Sequence, residues 1–404
     1  MTASQNFPHN AVEQPTAEAG LPWTGLLALA MAGFITILTE ALPAGLMPQM
    51  GRSLQVSEAL VGQLVTLYAF GSLLAAIPLT LLTQGWRRRP LLMIAIGGFA
   101  VVNTVTALSS WYPLTLVARF FAGVFAGLVW ALLAGYAARM VAAPLKGRAI
   151  AVAMVGTPLA LTLGIPAGTL LGTHAGWQTT FICMSVMTVA LLLWVRVKVP
   201  DFAGQPPSEA FSLGAVWRIA GVKAVLLATL GFVLAHNILY TYITPLLVPS
   251  GLNTQIGIVL LVFGASALAG ITVIGMLIDR WLRELTLATT LMFIAASLAL
   301  ALWSQSAAVV YALTVIWGLA FGGAATLLQT ACAKVGERAA DVSQAMLVTT
   351  WNLGIAGGGV VGGALLQGQG SHSLPWVAAV LLAVVWVTVL LARRAGFKSA
   401  MSGH

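Results

Sequence analysis

Thr83-Gln84-Gly85-Trp86-Arg87-Arg88-Arg89 separates two apolar stretches, and a related segment, Asp279-Arg280-Trp281-Leu282-Arg283, separates two more in the second half of the chain. Trp86 and Arg88 superpose on Trp281 and Arg283 at one common offset, which suggests an internal duplication. Working outward, the remaining cations cluster in the same way: Arg139, Lys146 and Arg148; Arg196, Lys198, Arg218 and Lys223; Lys334 and Arg338; Arg393, Arg394 and Lys398. These groups hold seventeen of the nineteen Lys and Arg residues, each after an even number of apolar spans. Cationic side chains are poorly translocated during insertion, so such groups mark the cytoplasmic face of a membrane. Arg52 alone lies in an outer connection, Arg119 lies inside a span, and both termini are expected in the cytoplasm.

With 404 residues, 59% hydrophobic and 7% charged, the chain has too little polar surface for a water-soluble globule. Residues 149–195, 224–278, 285–333 and 342–392 contain no Asp, Glu, Lys or Arg. Each stretch accommodates two spans of about 20 residues. Turn residues interrupt them at His174–Trp177, Pro249–Asn253, Ser304–Ser306 and Gln367–His372. Spans near 23–47, 59–85, 90–109 and 112–140 bring the expected number to twelve. Long uninterrupted runs contradict the dyad alternation of a membrane barrel. The expected fold is therefore an all-α membrane protein of twelve transmembrane helices in two pseudo-symmetric six-helix bundles. The expected division is a disordered cytoplasmic tail at 1–22, bundles at 23–199 and 219–395, a polar cytoplasmic linker at 200–218, and a second tail at 396–404. Glu13 and Glu18, without any Lys or Arg, are the wrong preamble for a signal peptide.

The net charge of +9 is dispersed among loops without interleaved stacking aromatics, so it reads as topology rather than a nucleic-acid groove. Cys183 and Cys332 fall within apolar spans, without metal-ligand spacing. No Gly-x-x-x-x-Gly-Lys segment is present for a nucleotide, and no span pairs a nucleophile with a base. The expectation is a transporter rather than an enzyme, with no cofactor or metal, functional as a monomer. Its partners are a small-molecule substrate, protons and the lipid bilayer. Six spans plus six with cytoplasmic ends fit a secondary transporter whose substrate site lies between two rocking halves.

Several motifs resemble the major facilitator superfamily, and more narrowly its twelve-span bacterial drug:proton antiporters. The junction after span two resembles the superfamily's first cytoplasmic loop motif, with Gln84 where an Asp is usual and Gly85 where an Arg is usual; Gly275-Met-Leu-Ile-Asp279-Arg280 is the closer copy. Ala118-Arg119-Phe-Phe-Ala-Gly123 resembles the Arg-centred motif of span four. Gly156-Thr-Pro158, Gly164-Ile-Pro166-Ala-Gly168-Thr-Leu-Leu-Gly172 and Gly176-Trp177 are similar to the antiporter signature of span five, although Gln178 stands where an Arg often follows. Thr39-Glu40-Ala-Leu-Pro43 and Tyr240-Thr-Tyr242-Ile-Thr-Pro245 look like the sugar-efflux and purine-nucleoside-efflux branch. The resemblance implies proton-coupled export of a sugar, nucleoside or drug-like solute across the bacterial inner membrane. A proton symporter or facilitator for uptake is the alternative on the same fold. The resemblance also implies gating roles for Arg87, Arg88, Asp279, Arg280, Gly164, Pro166 and Gly168.

Glu40 and Arg119 are the two charges clearly inside spans. Each costs about 2.5–3.5 kcal/mol on insertion scales, which makes them candidates for function. Glu40 lies seven residues before Met47 and Arg119 seven after Tyr112. At 1.5 Å per residue both sit about 10 Å below the outer surface. An apolar interior disfavours a carboxylate and a nearby guanidinium favours it, the balance that proton exchange requires. Two alternatives stand beside this pair: span one ends near Ala41 and leaves Glu40 wet, or Arg119 bonds span-one carbonyls and only locks helices together. His236, Asn237 and Tyr240 on span seven, Trp130 on span four, Gln329 on span ten and Asn352 on span eleven are candidate substrate contacts. Aromatics and amides stack on and hydrogen-bond sugar or nucleoside rings, and they equally serve as interhelical glue.

Overall fold

The computed structural model describes residues 20–206, 210–252 and 255–397; most of the two expected tails, and residues 207–209 of the expected linker, lie outside them. Among the described residues every regular element is a helix, and there are no strands. In order they form α1 (Trp23–Gly45), α2 (Glu58–Leu82), α3 (Arg88–Leu108), α4 (Tyr112–Arg139), α5 (Lys146–Met154, continued to Ala175) and α6 (Trp177–Lys198). After a connection comes α7 (Val222–Thr241), then one continuous helical stretch, Ile256–Trp303. Its 48 residues would extend about 72 Å at 1.5 Å per residue, more than twice a hydrocarbon core. Non-helical torsions at Trp281 (φ −124°, ψ 29°) divide it into α8 (256–280) and α9 (282–303). Then follow α10 (Ala307–Gly322, continued by Ala324–Gly336), α11 (Ala340–Gln369) and α12 (Ser373–Leu391). The described residues thus make twelve apolar spans, as the charge pattern predicts.

The turns fall where the sequence placed them, and their chemistry says why. Gly176 (φ +89°) and Gly370 (φ +83°) end α5 and α11 in backbone conformations that side chains with a Cβ rarely adopt. Ser306 caps α10 by accepting a hydrogen bond from the Val309 amide at 3.5 Å.

Lipid supplies no hydrophobic force between helices, so small residues and close backbone approach hold such bundles together. Gly123 and Gly127 of α4 lie against the backbone of Tyr68 and Ser72 on α2, and Gly318 and Gly322 of α10 lie against the backbone of Phe263 and Ala267 on α8. All four contacting residues in one half map onto those in the other at the 195-residue offset that relates Trp86 to Trp281. The duplication is therefore present in the packing itself. One bundle buries Leu29, Phe99 and Leu132, and the other Phe232, Phe293 and Trp317.

The halves touch along α2 against α11 and α5 against α8, and additionally where α4 and α5 meet α10 and α11. At the end carrying the basic loops, Ala131–Ala138 of α4, Thr326–Ala333 of α10 and Ala340–Val348 of α11 are buried on every face. Beyond Val348, only Gly354, Gly358 and Gly362 of α11 are buried. A helix buried all round is enclosed by neighbours, so the two halves are closed together at the basic end and separated toward the opposite one.

Candidate functional site: a central cavity closed at the basic end

A cavity of about 140 Å³ lies between the halves, bounded by α1, α2, α4 and α5 on one side and by α10 and α11 on the other. Glu40, Ser72, Trp130, Thr157, Gln329, Trp351 and Asn352 supply its polar groups. Helix α1 continues through Pro43 to Gly45, so Glu40 sits within the helix, half-buried, with its side chain at the cavity. Among the described residues no hydrogen bond or ion pair engages its carboxylate. Among the described residues it is also the only charged one lining the cavity. Gln329 is 7% exposed, yet its side-chain oxygen has no partner among the described residues.

Arg119 comes to Glu40, but to its backbone. The fully buried guanidinium donates to the Glu40 carbonyl at 3.2 Å and to the Leu64 carbonyl at 3.4 Å, and it sits 5.0 Å from the Tyr68 ring centroid. Tyr68 in turn donates to the Thr36 carbonyl at 3.1 Å. The arrangement ties α4, α2 and α1 together beside the cavity and leaves the carboxylate free.

A second, larger compartment of about 360 Å³ shares Met154, Thr157, Ala325 and Trp351 with the first and extends between α5 and α8. Tyr240 lines it. His236 and Asn237 line neither compartment: His236 is buried behind, stacked on Phe321 at 3.5 Å between centroids, and its Nδ1 accepts from Trp317 Nε1 at 3.2 Å. Asn237 donates back to the Val233 carbonyl of its own helix at 2.9 Å.

The seal at the basic end is ionic. Asp341, in the first turn of α11 and 2% exposed, pairs with Arg88 at 2.7 Å and with Arg139 at 3.0 Å. In the pseudo-equivalent place Asp279 accepts from the amides of Gly147 and Arg148 at 2.7 and 3.3 Å, capping the start of α5, and pairs with the Arg148 side chain at 3.4 Å. A carboxylate there also complements the partial positive charge of the helix N-terminus. Arg280 makes no hydrogen bond or ion pair among the described residues.

The 195-residue offset takes Asp279 to Gln84, the position without an acid. There the charge is carried by the opposing helix, as Asp341, and the amide has different work. Gln84 Oε1 accepts from the Phe211 amide at 2.9 Å and Nε2 donates to the Phe211 carbonyl at 3.1 Å, strapping the connection between the halves to the α2–α3 junction. Arg87 and the Arg89 amide hold Asp201 of the same connection at 2.6 and 3.0 Å. Burial works against ionisation of Asp201, but these bonds outweigh it and hold the carboxyl below the usual carboxylate range.

On α5, Gly156 abuts the Ala30 carbonyl of α1, while Gly164, Gly168 and Gly172 receive Leu38, Leu42 and Leu46. A π-helical turn at Ala160–Gly164 interrupts the helix, and Pro166 faces the larger compartment. Asp341 was not among the residues singled out from the sequence, because it follows Lys334 and Arg338 and reads as part of a polar loop. Phe263, Phe321 and Trp351 likewise gave no signal within apolar runs.

The Major Facilitator Superfamily model matches residues 29–356. Among solved structures, the human organic anion transporter MFSD10 (TETRAN) is similar with a TM-score of 0.74 at 16% identity, over 91% of this chain and 98% of its own. The proton:xylose symporter XylE bound to 6-bromo-6-deoxy-D-glucose gives 0.74 at 13% identity, over 92% and 95%. A variant of the E. coli fucose:proton symporter FucP gives 0.72 at 14%, over 92% and 99%. At such identities these structures share the fold alone. The family match over most of the chain, the twelve spans and the cavity between two related halves lead to one conclusion: this chain belongs to the Major Facilitator Superfamily and is a multi-pass membrane transporter, not an enzyme.

Proposed function

We propose that the chain is a proton-coupled secondary transporter that exports a small organic solute across the bacterial inner membrane, with its basic end in the cytoplasm. The observation that carries this reading is Glu40: one carboxylate, unpaired among the described residues, lining the cavity between the halves. With the basic end inside, the structure is the outward-facing conformation, in which Glu40 exchanges protons with the outer solution. Protonation removes a charge whose cost in an apolar interior is about 2.5–3.5 kcal/mol, so the carrier returns inward more readily loaded with a proton. Solute arriving from the cytoplasm then replaces the proton. Each charge moved down the membrane potential supplies about 2.3 kcal/mol per 100 mV.

In this cycle Asp341 with Arg88 and Arg139, and Asp279 with the start of α5, are the contacts that break when the basic end opens. Arg119 is a structural clamp that positions α1, and Glu40 alone carries the proton. The outward direction rests on the resemblance of α5 to the antiporter signature; uptake by symport is the competing assignment.

Everted vesicles test both points. Solute accumulation driven by interior acid supports export, and accumulation only under the reversed gradient assigns uptake. In the same vesicles Glu40→Gln is expected to retain solute counterflow while losing accumulation in response to a pH gradient. Wild-type gradient-driven accumulation by Glu40→Gln would remove the proposed role.

A further inference from the structure

We infer that the larger compartment between α5 and α8 binds a flat aromatic solute, neutral or cationic, whose polar end points toward Glu40 and Gln329. This deepens the reading above and rests on it for the claim that the bound solute is the transported one. The compartment's about 360 Å³ falls in the range of small-molecule sites. Tyr240, Phe263, Phe321 and Trp351 supply aromatic lining from four different helices. Phe321 is backed by the stacked His236 ring, which the Trp317 indole fixes through its Nδ1. Ring faces held this way are preorganised for stacking and lose little freedom when a ligand arrives.

The lining also excludes other chemistries. Its hydroxyls are Thr157, Thr162 and Tyr240, and that of Thr162 already donates to the Pro158 carbonyl at 2.7 Å. A polyhydroxylated sugar would leave most of its hydroxyls without partners in this compartment. Among the described residues no Lys or Arg lines either compartment, while Glu40 lines the smaller one, so an anion meets only a like charge. The compartments join at Trp351, Thr157 and Ala325, so one ligand reaches both. Its apolar rings occupy the larger space. Its amine or hydroxyl reaches the unpaired oxygen of Gln329 and the free Glu40 carboxylate.

The test is equilibrium dialysis of the detergent-purified full chain against ethidium, a planar aromatic cation, with protein-free micelles subtracted and D-glucose and benzoate as competitors. Ethidium is expected to bind saturably, without displacement by glucose or benzoate. Phe321→Leu removes a ring face and is expected to weaken binding about tenfold. Because that variant alters a packed aromatic, Leu161→Trp serves as the second: Leu161 lines the compartment, is 47% exposed, and a larger side chain there fills the space without emptying the core. It is expected to weaken ethidium binding at least as much in a chain that elutes and melts like wild type. Absence of saturable ethidium binding, displacement by glucose or benzoate, or unchanged affinity in folded Leu161→Trp each overturns the assignment. Dialysis involves no gradient, so proton-driven transport of another solute by a chain that fails this test leaves the proposed function standing and removes only the substrate class.

Discussion

Glu40 and Arg119 are neighbours through the backbone rather than through an ion pair, and this separates two roles that their shared depth had joined. Removing the guanidinium leaves the Glu40 and Leu64 carbonyls short of a donor and empties the space beside Tyr68. Arg119→Ala is expected to destabilise the protein by about 1–3 kcal/mol, seen as a lower melting midpoint in detergent. Arg119→Lys, which keeps a charge and a donor but loses the planar fork, is expected to fall between it and wild type. If either variant melts like wild type yet loses the proton-coupled transport proposed above, Arg119 belongs to the coupling machinery after all. At the surface, Asp201 offers a pH test. Its folded carboxyl titrates below the unfolded value, so its contribution is fully present above about pH 3.9 and disappears only as the pH falls through the lower, folded one. Amide exchange in residues 200–206 is therefore expected to be unchanged between neutral pH and pH 5, after correction for intrinsic rates, and to accelerate in stronger acid. Acceleration already at pH 5 would contradict the tether.

At the scale of the helix, α5 shows how glycine spacing becomes a joint. Gly156 meets main chain on α1, whereas Gly359 of α11 has open space where a Cβ would project. Gly156→Val is expected to force α1 and α5 apart at about 1–3 kcal/mol or more and to yield aggregated protein on size exclusion. Gly359→Ala is expected to elute normally and to melt at or slightly above the wild-type temperature, since alanine is the better helix former by about 1 kcal/mol. Equal behaviour of the two variants would mean that glycine at these positions is a matter of helix propensity alone. The sequence showed the four-residue rhythm of Gly164, Gly168 and Gly172, but it did not show that Leu38, Leu42 and Leu46 repeat at the same interval to receive them. That match exists only once α1 and α5 lie side by side.

For the whole molecule, the ionic seal at the basic end predicts a measurable shift between conformations. Asp341→Asn leaves the buried Arg88 charge without its partner, a loss of about 3–5 kcal/mol for the closed arrangement. States separated by a few kcal/mol exchange dominance under such a change. Cys332, 1% exposed in the closed basic-end portion of α10, is a native reporter, provided that exposed Cys183 is replaced. In a Cys183→Ala background, maleimide labelling of Cys332 is expected to be slow, and to become markedly faster when Asp341→Asn is added. Equal rates would show that Asp341 does not hold the basic end shut.

Span number, span order and the duplication were legible in the sequence, because lipid demands uninterrupted apolar helices and insertion leaves cations on one side; both requirements act on the chain locally. Glu40 was legible for the same reason, as a charge where charge is costly. The three-dimensional arrangement decided the rest. Gln84 could be recognised as a missing acid, but its bond to Phe211 and the transfer of that acid to Asp341 join residues far apart in sequence. Tyr240, Phe263, Phe321 and Trp351 are indistinguishable from core residues in one dimension. They become the wall of a compartment only because four helices from the same half turn those faces toward α5, and no periodicity within a single helix records which neighbour it will meet.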